Sequence, residues 1–458
     1  MYFLYSLLLT VGIIALLPRF LYDALRHGKY VAGLRERLGQ LPFLNQEQRP
    51  VIWLHCVSVG ETQAARPLAR ALLEQFPTHA LVVSTVTLTG QRVAREVFAG
   101  EAAAVFYFPF DWAWSVRRAL GRINPACVLI METELWPNFL RECRRRGVRV
   151  ALVNGRLSEA SFSRYKFIRR FTERIVRCLD LALMQSEADA ERIRALGLTS
   201  DRVVVSGNVK FDAGTGRDEQ ALSHELGARF QLAGDRPLIV AASTHAPEER
   251  IMIEAIKRMR ETSSASPARL LIAPRHPERF NETAALLDSS GLTWTRRSSP
   301  HDARDAVCDS ILLDSIGELR AVYRHATIVF VGGSMARTGG HNVLEPAEVG
   351  ACIVTGAHTT NFTAIMRHFL ETDALIQLPD LSEAEAIKEI ARVFAELLSD
   401  AERRHAMGER ARAVVEKNRG ASLRTVKLLA PILSLTPEEQ ELNQLHGARR
   451  RRSDALSA

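Results

Sequence analysis

The sequence predicts an α/β fold made of two doubly wound, Rossmann-like domains that face a cleft. Short apolar runs rich in β-branched residues alternate with amphipathic helical patterns along most of the 458 residues. The apolar runs are continuous, as in parallel strands buried on both faces of a sheet. A polar stretch around residues 213–231 interrupts this rhythm once, and a chain of this length suffices for two domains.

Strands and helices are predicted in both halves. The strands of the first half are Val51–Ser58, Ala80–Thr87, Ala104–Pro109, Ala126–Thr133, Val148–Gly155, Leu181–Ser186 and Val203–Asn208, with helices such as Thr62–Phe76 and Ala188–Leu196 between them. The strands of the second half are Pro237–Ser243, Arg269–Arg275, Ile311–Asp314, Thr327–Gly333, Ala351–Gly356 and Ala374–Leu378. Its helices are Glu248–Thr262, Ser315–His325, Asn361–Glu371 and Glu383–Leu398.

The N-terminus has a different character. No charged residue occurs from Tyr2 to Leu17, and cationic residues follow from Arg19 onward. The run is slightly short for a full membrane span, and no basic residue precedes it as in a cleaved signal peptide. We therefore expect a membrane-anchor helix with the main body on the cytoplasmic side. The alternative is a first helix that packs against the following domain.

These patterns predict five segments. They are a membrane anchor at 1–25, a first Rossmann-like domain at 26–212, a linker at 213–236, a second Rossmann-like domain at 237–435 and a solvated, disordered basic tail at 436–458. The net charge of +8 favours an anionic partner such as nucleic acid, acidic lipid or a phosphorylated substrate. The six cysteines form no CxxC pair, which indicates a reducing compartment and disfavours a zinc site.

Candidate catalytic residues follow the first-half strands, where ligands bind in such sheets. Glu61 lies at a helix start after a glycine turn and is either a general base or a partner of the helix dipole. Glu132 and Glu134 lie two residues apart at a strand end. Lys210, just before the polar stretch, is positioned to stabilise charge on a phosphate leaving group, or is a solvated surface lysine. The hydroxyl-rich loop Ser84–Gly90 is either a ligand loop or an ordinary helix cap.

Candidate anion-binding residues follow the second-half strands. Pro274 and Arg275 end one strand, and the arginine suits a phosphate or carboxylate. The stretch Ser315–Leu319 resembles a helix start with free N–H groups, with Glu318 as an alternative dipole partner. Asn342 and Glu345 share one face of a helix that follows paired glycines.

Several motifs are missing from the chain. There is no GxGxxG after the first strand, no GxxxxGK[ST] and no Asp-x-Asp. Their absence disfavours a dinucleotide enzyme, a P-loop NTPase and a metal-held sugar nucleotide. Helix termini and cationic side chains would then neutralise any bound phosphate.

Taken together, the motifs closely resemble those of the 3-deoxy-D-manno-octulosonic acid (Kdo) transferase family. The matching strings are WLHCVSVGE (53–61), METELWPN (131–138), NGRLS (154–158), SGNVKFD (206–212), STH (243–245), APRHPERF (273–280), GGS (332–334), GGHNVLEP (339–346) and HTTNF (358–362). They span most of the chain in consistent order. METELWPN together with GGHNVLEP is highly specific.

The resemblance implies a GT-B fold and an inverting, metal-independent transfer of Kdo from CMP-Kdo to a lipid A precursor, lipid IVA. It places the enzyme at the cytoplasmic face of the bacterial inner membrane, with no cofactor and no nucleic acid partner. It makes Glu61 the general base. It makes Glu132 and Lys210 the transition-state partners, with Glu134 as a further candidate. The CMP-binding positions it implies are Pro274, Arg275, Ile316, Gly317, Glu318, Asn342, Val343, Leu344 and Glu345.

Three other functions fit parts of the sequence. One is another GT-B enzyme, such as a lipid or heptosyl transferase that uses a different nucleotide sugar. A second is a non-catalytic membrane-docked binding protein, which the intact set of Glu61, Arg275 and Glu345 disfavours. The third is a nicotinamide oxidoreductase, which the missing dinucleotide motif disfavours.

Overall fold

The computed structural model describes residues 1–27, 33–41, 49–212, 217–232, 234, 236–262 and 268–434. The chain divides into two units. The first comprises Met1–Ala213 together with Arg419–Ala458, and the second comprises Gly214–Asn418. Each unit contains one parallel sheet with helices, so the prediction of two parallel-sheet α/β domains is confirmed.

Strands and helices alternate along the first part of the chain. The elements up to residue 212 are α1 (Tyr2–His27), α2 (Leu34–Arg37), β1 (Val51–His55), α3 (Val59–Gln75), β2 (Ala80–Thr85), α4 (Leu88–Val97), β3 (Ala104–Tyr107), α5 (Ala113–Ile123), β4 (Cys127–Met131), α6 (Pro137–Arg146), β5 (Arg149–Gly155), α7 (Glu159–Phe167), α8 (Arg169–Val176), β6 (Leu181–Met184), α9 (Glu187–Ala195) and β7 (Val203–Val205).

The same alternation continues in the second part. Its elements are α10 (Arg217–Phe230), β8 (Leu238–Thr244), α11 (Glu248–Thr262), β9 (Arg269–Pro274), α12 (Phe280–Asp288), β10 (Trp294–Arg296), β11 (Ser310–Leu312), α13 (Leu319–Tyr323), β12 (Ile328–Val331), α14 (Leu344–Glu348), β13 (Cys352–Thr355), α15 (Thr363–Glu371), β14 (Ile376–Gln377), α16 (Glu383–Ser399), α17 (Ala401–Asn418) and α18 (Ala421–Leu433).

The first sheet has the order β3-β2-β1-β4-β5-β6-β7, and all of its neighbouring strands are parallel. Two separate apolar clusters cover its faces. One contains side chains of α3, α4 and α18, and the other contains side chains of α5, α6, α8 and α9. Burial on both faces explains why these strands are continuous apolar runs in the sequence.

The second sheet has the order β10-β11-β9-β8-β12-β13-β14 and is also parallel throughout. Its largest apolar cluster includes side chains of α11, α12 and α16. The edge strand β10 was not predicted, because its three residues, Trp294, Thr295 and Arg296, are only half-buried and carry no apolar run.

The division of the chain differs from the predicted one in two places. The predicted linker 213–236 contains α10, whose residues Leu226 and Phe230 are buried. The predicted second domain extends to 435, whereas α18 packs on the first unit through Val426 and Leu429. The amphipathic pattern of α18 indicates a buried face but cannot indicate which sheet it covers. The predicted tail 436–458 lies outside the described residues.

Helix α1 packs against the first unit along one face. Its Tyr2 ring meets Phe171 edge-on at 5.4 Å between ring centroids. Further along, the Asn138 amide donates to Ser6 Oγ at 3.0 Å, and Trp112 Nε1 donates to Thr10 Oγ1 at 3.0 Å. The outward face is apolar and exposed, with side chains at the i, i+3, i+4 spacing of a helical stripe: Phe3, Leu4, Leu7, Leu8, Val11 and Ile14.

Among the residues described, no helix combines the length and the apolar character needed to cross a bilayer. The predicted membrane anchor therefore stays a prediction. The packing of residues 2–10 agrees with the alternative, a first helix that docks on the domain.

We predict that Asp212→Ala destabilises the protein, because the Asp212 carboxylate accepts hydrogen bonds from Gly420 N (2.6 Å) and Ser422 N (2.5 Å) at the start of α18. Charge-assisted bonds of this kind contribute about 2 kcal/mol to stability. Thermal unfolding followed by circular dichroism should show a lower Tm. The control Asp201→Ala removes an exposed carboxylate and should leave Tm nearly unchanged. Equal Tm values for the two variants would contradict this account of α18.

Candidate active site

The carboxyl edge of the first sheet carries Glu61, which belongs to the first turn of α3. Strand β1 ends at His55, earlier than predicted, because Ser58 caps α3 with its side chain and accepts from Glu61 N. The Glu61 carboxylate returns to the same turn, where it accepts from Val57 N and Ser58 Oγ, both at 2.9 Å. Glu61 is thus held rigidly by a cap, and the two roles considered for it are compatible.

The electrostatic surroundings of Glu61 favour its protonated form. Only 8% of the residue is exposed. Burial and the negative charges of Glu132 and Glu134 together raise the pKa of Glu61 to about 7, against the opposing hydrogen bonds from Val57 and Ser58. A carboxyl group with a pKa near neutral pH can both accept and release a proton under physiological conditions.

Glu132 and Lys210 form an ion pair beside it. Lys210 Nζ lies 3.0 Å from Glu132 Oε1, and both side chains are about one-fifth exposed. Glu132 has a φ of +56°, a strained conformation for a residue with a side chain, and such strain concentrates at functional sites. Burial and the charge of Glu132 raise the pKa of Glu134. The structure thus brings together all of the first-half candidates.

Asn154, to which the sequence analysis assigned no role, fixes the backbone next to Lys210. It is fully buried at the end of β5, and its Oδ1 accepts from Val209 N at 3.1 Å, next to Lys210. Its Nδ2 finds no partner among the described residues. Its left-handed φ of +52° is a second strained point at this edge. The Asn154-Gly155 pair after a buried apolar run could have indicated this left-handed turn from the sequence, because asparagine adopts such a conformation more readily than most residues.

The hydroxyl-rich loop at 84–90 has structural roles. Thr87 caps α4 and accepts from Gly90 N. Ser84 accepts from Trp53 Nε1 at 2.7 Å, and Thr85 donates to Gln91 at 2.6 Å. These bonds satisfy the three hydroxyl groups internally, which supports the capping interpretation of this loop.

In the second unit, a buried carboxylate organises the loop that follows β12. Glu248 Oε1 accepts from the backbone N–H groups of Ser334, Met335 and Ala336, and its Oε2 accepts from Gly333 N and His245 N. Burial raises the pKa of Glu248, and the five N–H groups oppose that effect.

The paired glycines of this loop, Gly332 and Gly333, leave no room for a side chain. A Cβ at Gly332 would lie 2.7 Å from Glu248 Oε2, and one at Gly333 would lie 2.7 Å from the His341 ring. Gly332 thus lets the backbone approach an internal anion, and Gly333 lets it approach a neighbouring ring. The loop amides are therefore already occupied.

Three histidines and an arginine lie around this loop. His245 Nε2 and His341 Nε2 are 2.9 Å apart in parallel rings, and the His276 ring meets His245 edge-on. One of the two nitrogens must donate and the other accept, so the pair cannot be doubly protonated. Burial and the neighbouring Arg275 lower the pKa of His341 to about 3. Each histidine lies in one of the family motifs STH, APRHPERF and GGHNVLEP, and this pattern could have indicated the cluster from the sequence.

Arg275 supplies the positive charge of this region. Its backbone N–H is fixed by Thr244 O at 3.0 Å, while its side chain is exposed. Its charge lowers the pKa of His245, His341 and Glu345. Among the described residues, no carboxylate lies within 4.0 Å of its guanidinium group. Such an unneutralised arginine suits an anionic ligand.

Asn342 and Glu345 meet as the spacing predicts. Asn342 Nδ2 donates to Glu345 Oε1 at 3.1 Å, and Asn342 Oδ1 accepts from Leu344 N at the start of α14. Burial raises the pKa of Glu345, and the charges of Arg320 and Arg275 oppose it. A carboxylate fixed by an amide is a suitable acceptor for a pair of hydroxyl groups.

Glu318 is engaged elsewhere. Arg297 donates to both of its carboxylate oxygens at 2.9 Å, and Ser315 Oγ donates to it at 2.5 Å. Burial alone would raise the pKa of Glu318, but these hydrogen bonds outweigh that effect, so the pKa is lowered. The Glu318 side chain therefore acts as an ion-pair partner of Arg297 and not as a partner of the α13 helix dipole.

The remaining predicted residues differ in exposure. Ile316 is 80% exposed and Gly317 adopts a φ of +90° in open space, whereas Pro274, Val343 and Leu344 are buried. Buried apolar residues can contribute to a ligand site only through their backbone groups. No group of three or more metal-binding side chains occurs in the part of the chain that the structure describes.

Comparison with known proteins identifies the family. Residues 32–213 match the family described as 3-Deoxy-D-manno-octulosonic-acid transferase (kdotransferase). A 3-deoxy-D-manno-octulosonic acid transferase of Haemophilus influenzae is 33% identical over 88% of this chain and 92% of its own length. The enzyme of the same name from Bordetella pertussis is 35% identical over 82% of this chain and 86% of its own. The chain belongs to the Kdo transferase family.

The family assignment makes the protein a glycosyltransferase. The fold agrees with that class. A glycosyltransferase structure from Rickettsia africae superimposes with a TM-score of 0.51 at 12% identity, covering 85% of this chain and all of that one. The two parallel-sheet domains thus resemble those of GT-B glycosyltransferases.

We predict that Glu248→Ala destabilises the second unit by about 3 kcal/mol or more, because it leaves five N–H groups without their shared acceptor. Thermal unfolding followed by circular dichroism would measure the loss of stability. Glu254→Ala, on the same helix, removes a half-exposed carboxylate that pairs with Lys257; it is the matched control and should behave nearly like the unmodified chain. A Glu248 variant with unchanged Tm would refute this function of the carboxylate.

Proposed function

We propose that the protein transfers Kdo from CMP-Kdo to lipid IVA, with inversion and without a metal ion, at the cytoplasmic face of a bacterial inner membrane. Family membership supports Kdo as the transferred sugar. The observation that carries the mechanism is the buried Glu61, with its pKa near 7, beside the Glu132–Lys210 ion pair. A single displacement with inversion requires one base, and Glu61 meets that requirement.

In this mechanism an acceptor hydroxyl oxygen attacks the anomeric carbon of Kdo. The new C–O bond forms as the bond to CMP breaks, and the electron pair leaves with the phosphate of CMP. The hydroxyl proton moves to Glu61. Lys210 stabilises developing negative charge, and Glu132 holds the lysine in position through their 3.0 Å contact.

On the donor side, we propose that Arg275 binds the phosphate or carboxylate of CMP-Kdo, with the His245–His341 pair beside it. Arg275 is exposed and has no carboxylate partner among the described residues. The backbone of Pro274, Ile316, Gly317, Val343 and Leu344 and the side chains of Asn342 and Glu345 would contact the rest of CMP. Glu318 would contribute through the backbone, because Arg297 occupies its side chain. A fixed arginine can neutralise the donor without a metal ion or other cofactor.

For the acceptor, we propose that α1 associates with the membrane through its exposed apolar stripe. A helix with one docked face and one apolar outward face fits the interfacial region of a bilayer. The excess of basic residues in the chain favours an acidic surface. Both features suit a phosphorylated lipid as the acceptor.

The reaction itself can be tested with CMP-Kdo and a tetra-acylated lipid A precursor, with a chelator present and products measured by mass. We expect a mass gain of one or more Kdo units. Product formation should be inhibited by CMP and much less by UDP. Preferred inhibition by UDP, or transfer only from another nucleotide sugar, would replace Kdo transfer with a related GT-B activity.

We predict that Glu61→Gln lowers kcat at least about 100-fold while leaving CMP affinity unchanged, because the variant cannot accept the hydroxyl proton. Glu74→Gln, an exposed position on the same helix, is the control and should retain full turnover. Near-normal kcat in the Glu61 variant would exclude it as the base.

We also predict a pH dependence. The raised pKa of Glu61, about 7, means that the carboxyl group is protonated and inactive as a base below that pH. kcat/KM should therefore rise with pH through about 7 and level off above it. A profile that is flat between pH 5 and pH 8 would indicate either an ordinary carboxyl pKa or a different base.

A further inference from the structure

A cavity of about 330 Å³ in the first unit is lined mainly by arginines. They are Arg141, Arg144 and Arg145 of α6, Arg174 of α8 and Arg177 just after it, and the other lining residues are Tyr2 of α1 and Cys178. We call this the arginine cavity. Positively charged side chains that lie this close together repel each other unless anions neutralise them.

The protein supplies only part of that neutralisation. Glu173 pairs with Arg177 at 2.5 Å, and Glu142 lies 3.5 Å from Arg145. Among the described residues, no carboxylate lies within 4.0 Å of Arg141, Arg144 or Arg174. Their contacts include neutral groups: Arg141 lies over the Tyr2 ring, Arg144 donates to a backbone carbonyl, and Arg174 reaches the Met1 sulfur. The cavity therefore retains excess positive charge.

The cavity borders an exposed apolar surface. Tyr2 begins the helix whose outward stripe is exposed, and Phe171, which contacts Tyr2, lies near Phe167 and Ile168 at the α7–α8 junction. Phe167 is 93% exposed and Ile168 is 48% exposed. Exposed basic residues surround that junction: Arg164, Lys166, Arg169 and Arg170. Apolar side chains next to basic groups are typical of surfaces that contact the acyl and phosphate layers of a membrane.

The arginine cavity is separate from the catalytic carboxylates. Glu132 follows β4 at the carboxyl edge of the sheet, and α6 then runs antiparallel to the strands before β5 begins. Its last turn, which contains Arg144 and Arg145, thus lies toward the opposite edge. A ligand in the cavity would not occupy the site of Glu61.

We propose that the arginine cavity binds the phosphate of an anionic phospholipid headgroup while the apolar stripe of α1 enters the bilayer surface. This inference rests on the membrane association proposed above. Arginine forks bind phosphate oxygens in pairs, and the neighbouring apolar residues distinguish a lipid from a free anion.

The test uses the full chain with Arg141→Gln and Arg174→Gln together, and sedimentation with vesicles. Vesicles of phosphatidylcholine alone are compared with vesicles that also contain phosphatidylglycerol. Each cationic group near an anionic surface strengthens binding about five-fold, so we expect the pair to lose about 25-fold in partitioning onto the anionic vesicles. Binding to phosphatidylcholine should stay unchanged.

The matched control is Arg66→Gln with Arg92→Gln, which removes two exposed charges from α3 and α4. These helices cover the opposite face of the sheet from α6 and α8. The control should bind anionic vesicles like the unmodified chain. Equal losses in the two pairs would show a general charge effect and overturn the proposal.

A second, more conservative variant separates the loss of a phosphate site from a loss of folding. Arg141→Lys with Arg174→Lys keeps the charge but loses the paired geometry, and we expect vesicle binding between that of the glutamine pair and the unmodified chain. Binding equal to that of the unmodified chain would overturn a specific phosphate site. If inorganic phosphate raised the Tm of the unmodified chain but not of the glutamine pair, and both bound vesicles equally, the cavity would take a free anion instead.

The outcome is independent of the proposed reaction. Kdo transfer to an acceptor dispersed in detergent should continue in the glutamine pair, since neither arginine belongs to the catalytic group. Normal transfer with normal vesicle binding would refute only the arginine cavity. No transfer in the unmodified chain would refute only the proposed reaction.

Discussion

The ion pair between Lys210 and Glu132 determines what the other groups at the first sheet edge can do. It neutralises one of three neighbouring carboxylates at a contact of 3.0 Å. Glu61 and Glu134 have no cationic partner within 4.0 Å among the described residues, and burial raises the pKa of both. Groups of one chemical type thereby acquire different roles: Glu132 pairs with a cation, and Glu61 becomes a proton acceptor near neutral pH.

The second unit uses a buried carboxylate for the opposite purpose. Glu248 accepts five backbone N–H groups and fixes the loop after β12, together with His245. The pKa of Glu248 is raised by burial, as that of Glu61 is, but its oxygens are occupied by backbone donors and hold the loop in place. The exposed cation nearby, Arg275, is left to bind an external anion. The buried charge of Glu248 is thus compensated by hydrogen bonds within the protein, which fix the loop. The exposed charge of Arg275 is not paired with a carboxylate of the described residues, as expected for a group that binds a ligand.

The sequence allowed the two parallel sheets to be predicted, since strands buried on both faces appear as continuous apolar runs. The grouping of Glu61, Glu132 and Lys210 was also predictable, because the ends of parallel strands share one edge. The partners of Glu318 and the placement of α18 were not, because they depend on residues distant in sequence. Glu248 was missed since a helix-start glutamate is ordinarily a surface residue.

The central claim is that burial and Glu132 tune Glu61 to accept a proton near neutral pH. Its most direct test is a titration of the Glu61 carboxyl carbon by ¹³C NMR, with Glu61→Gln identifying the signal. The account predicts a pKa of about 7 in the unmodified chain and a lower pKa in Glu132→Gln. Titration in the ordinary glutamate range of about 4, or no shift on replacing Glu132, would contradict it.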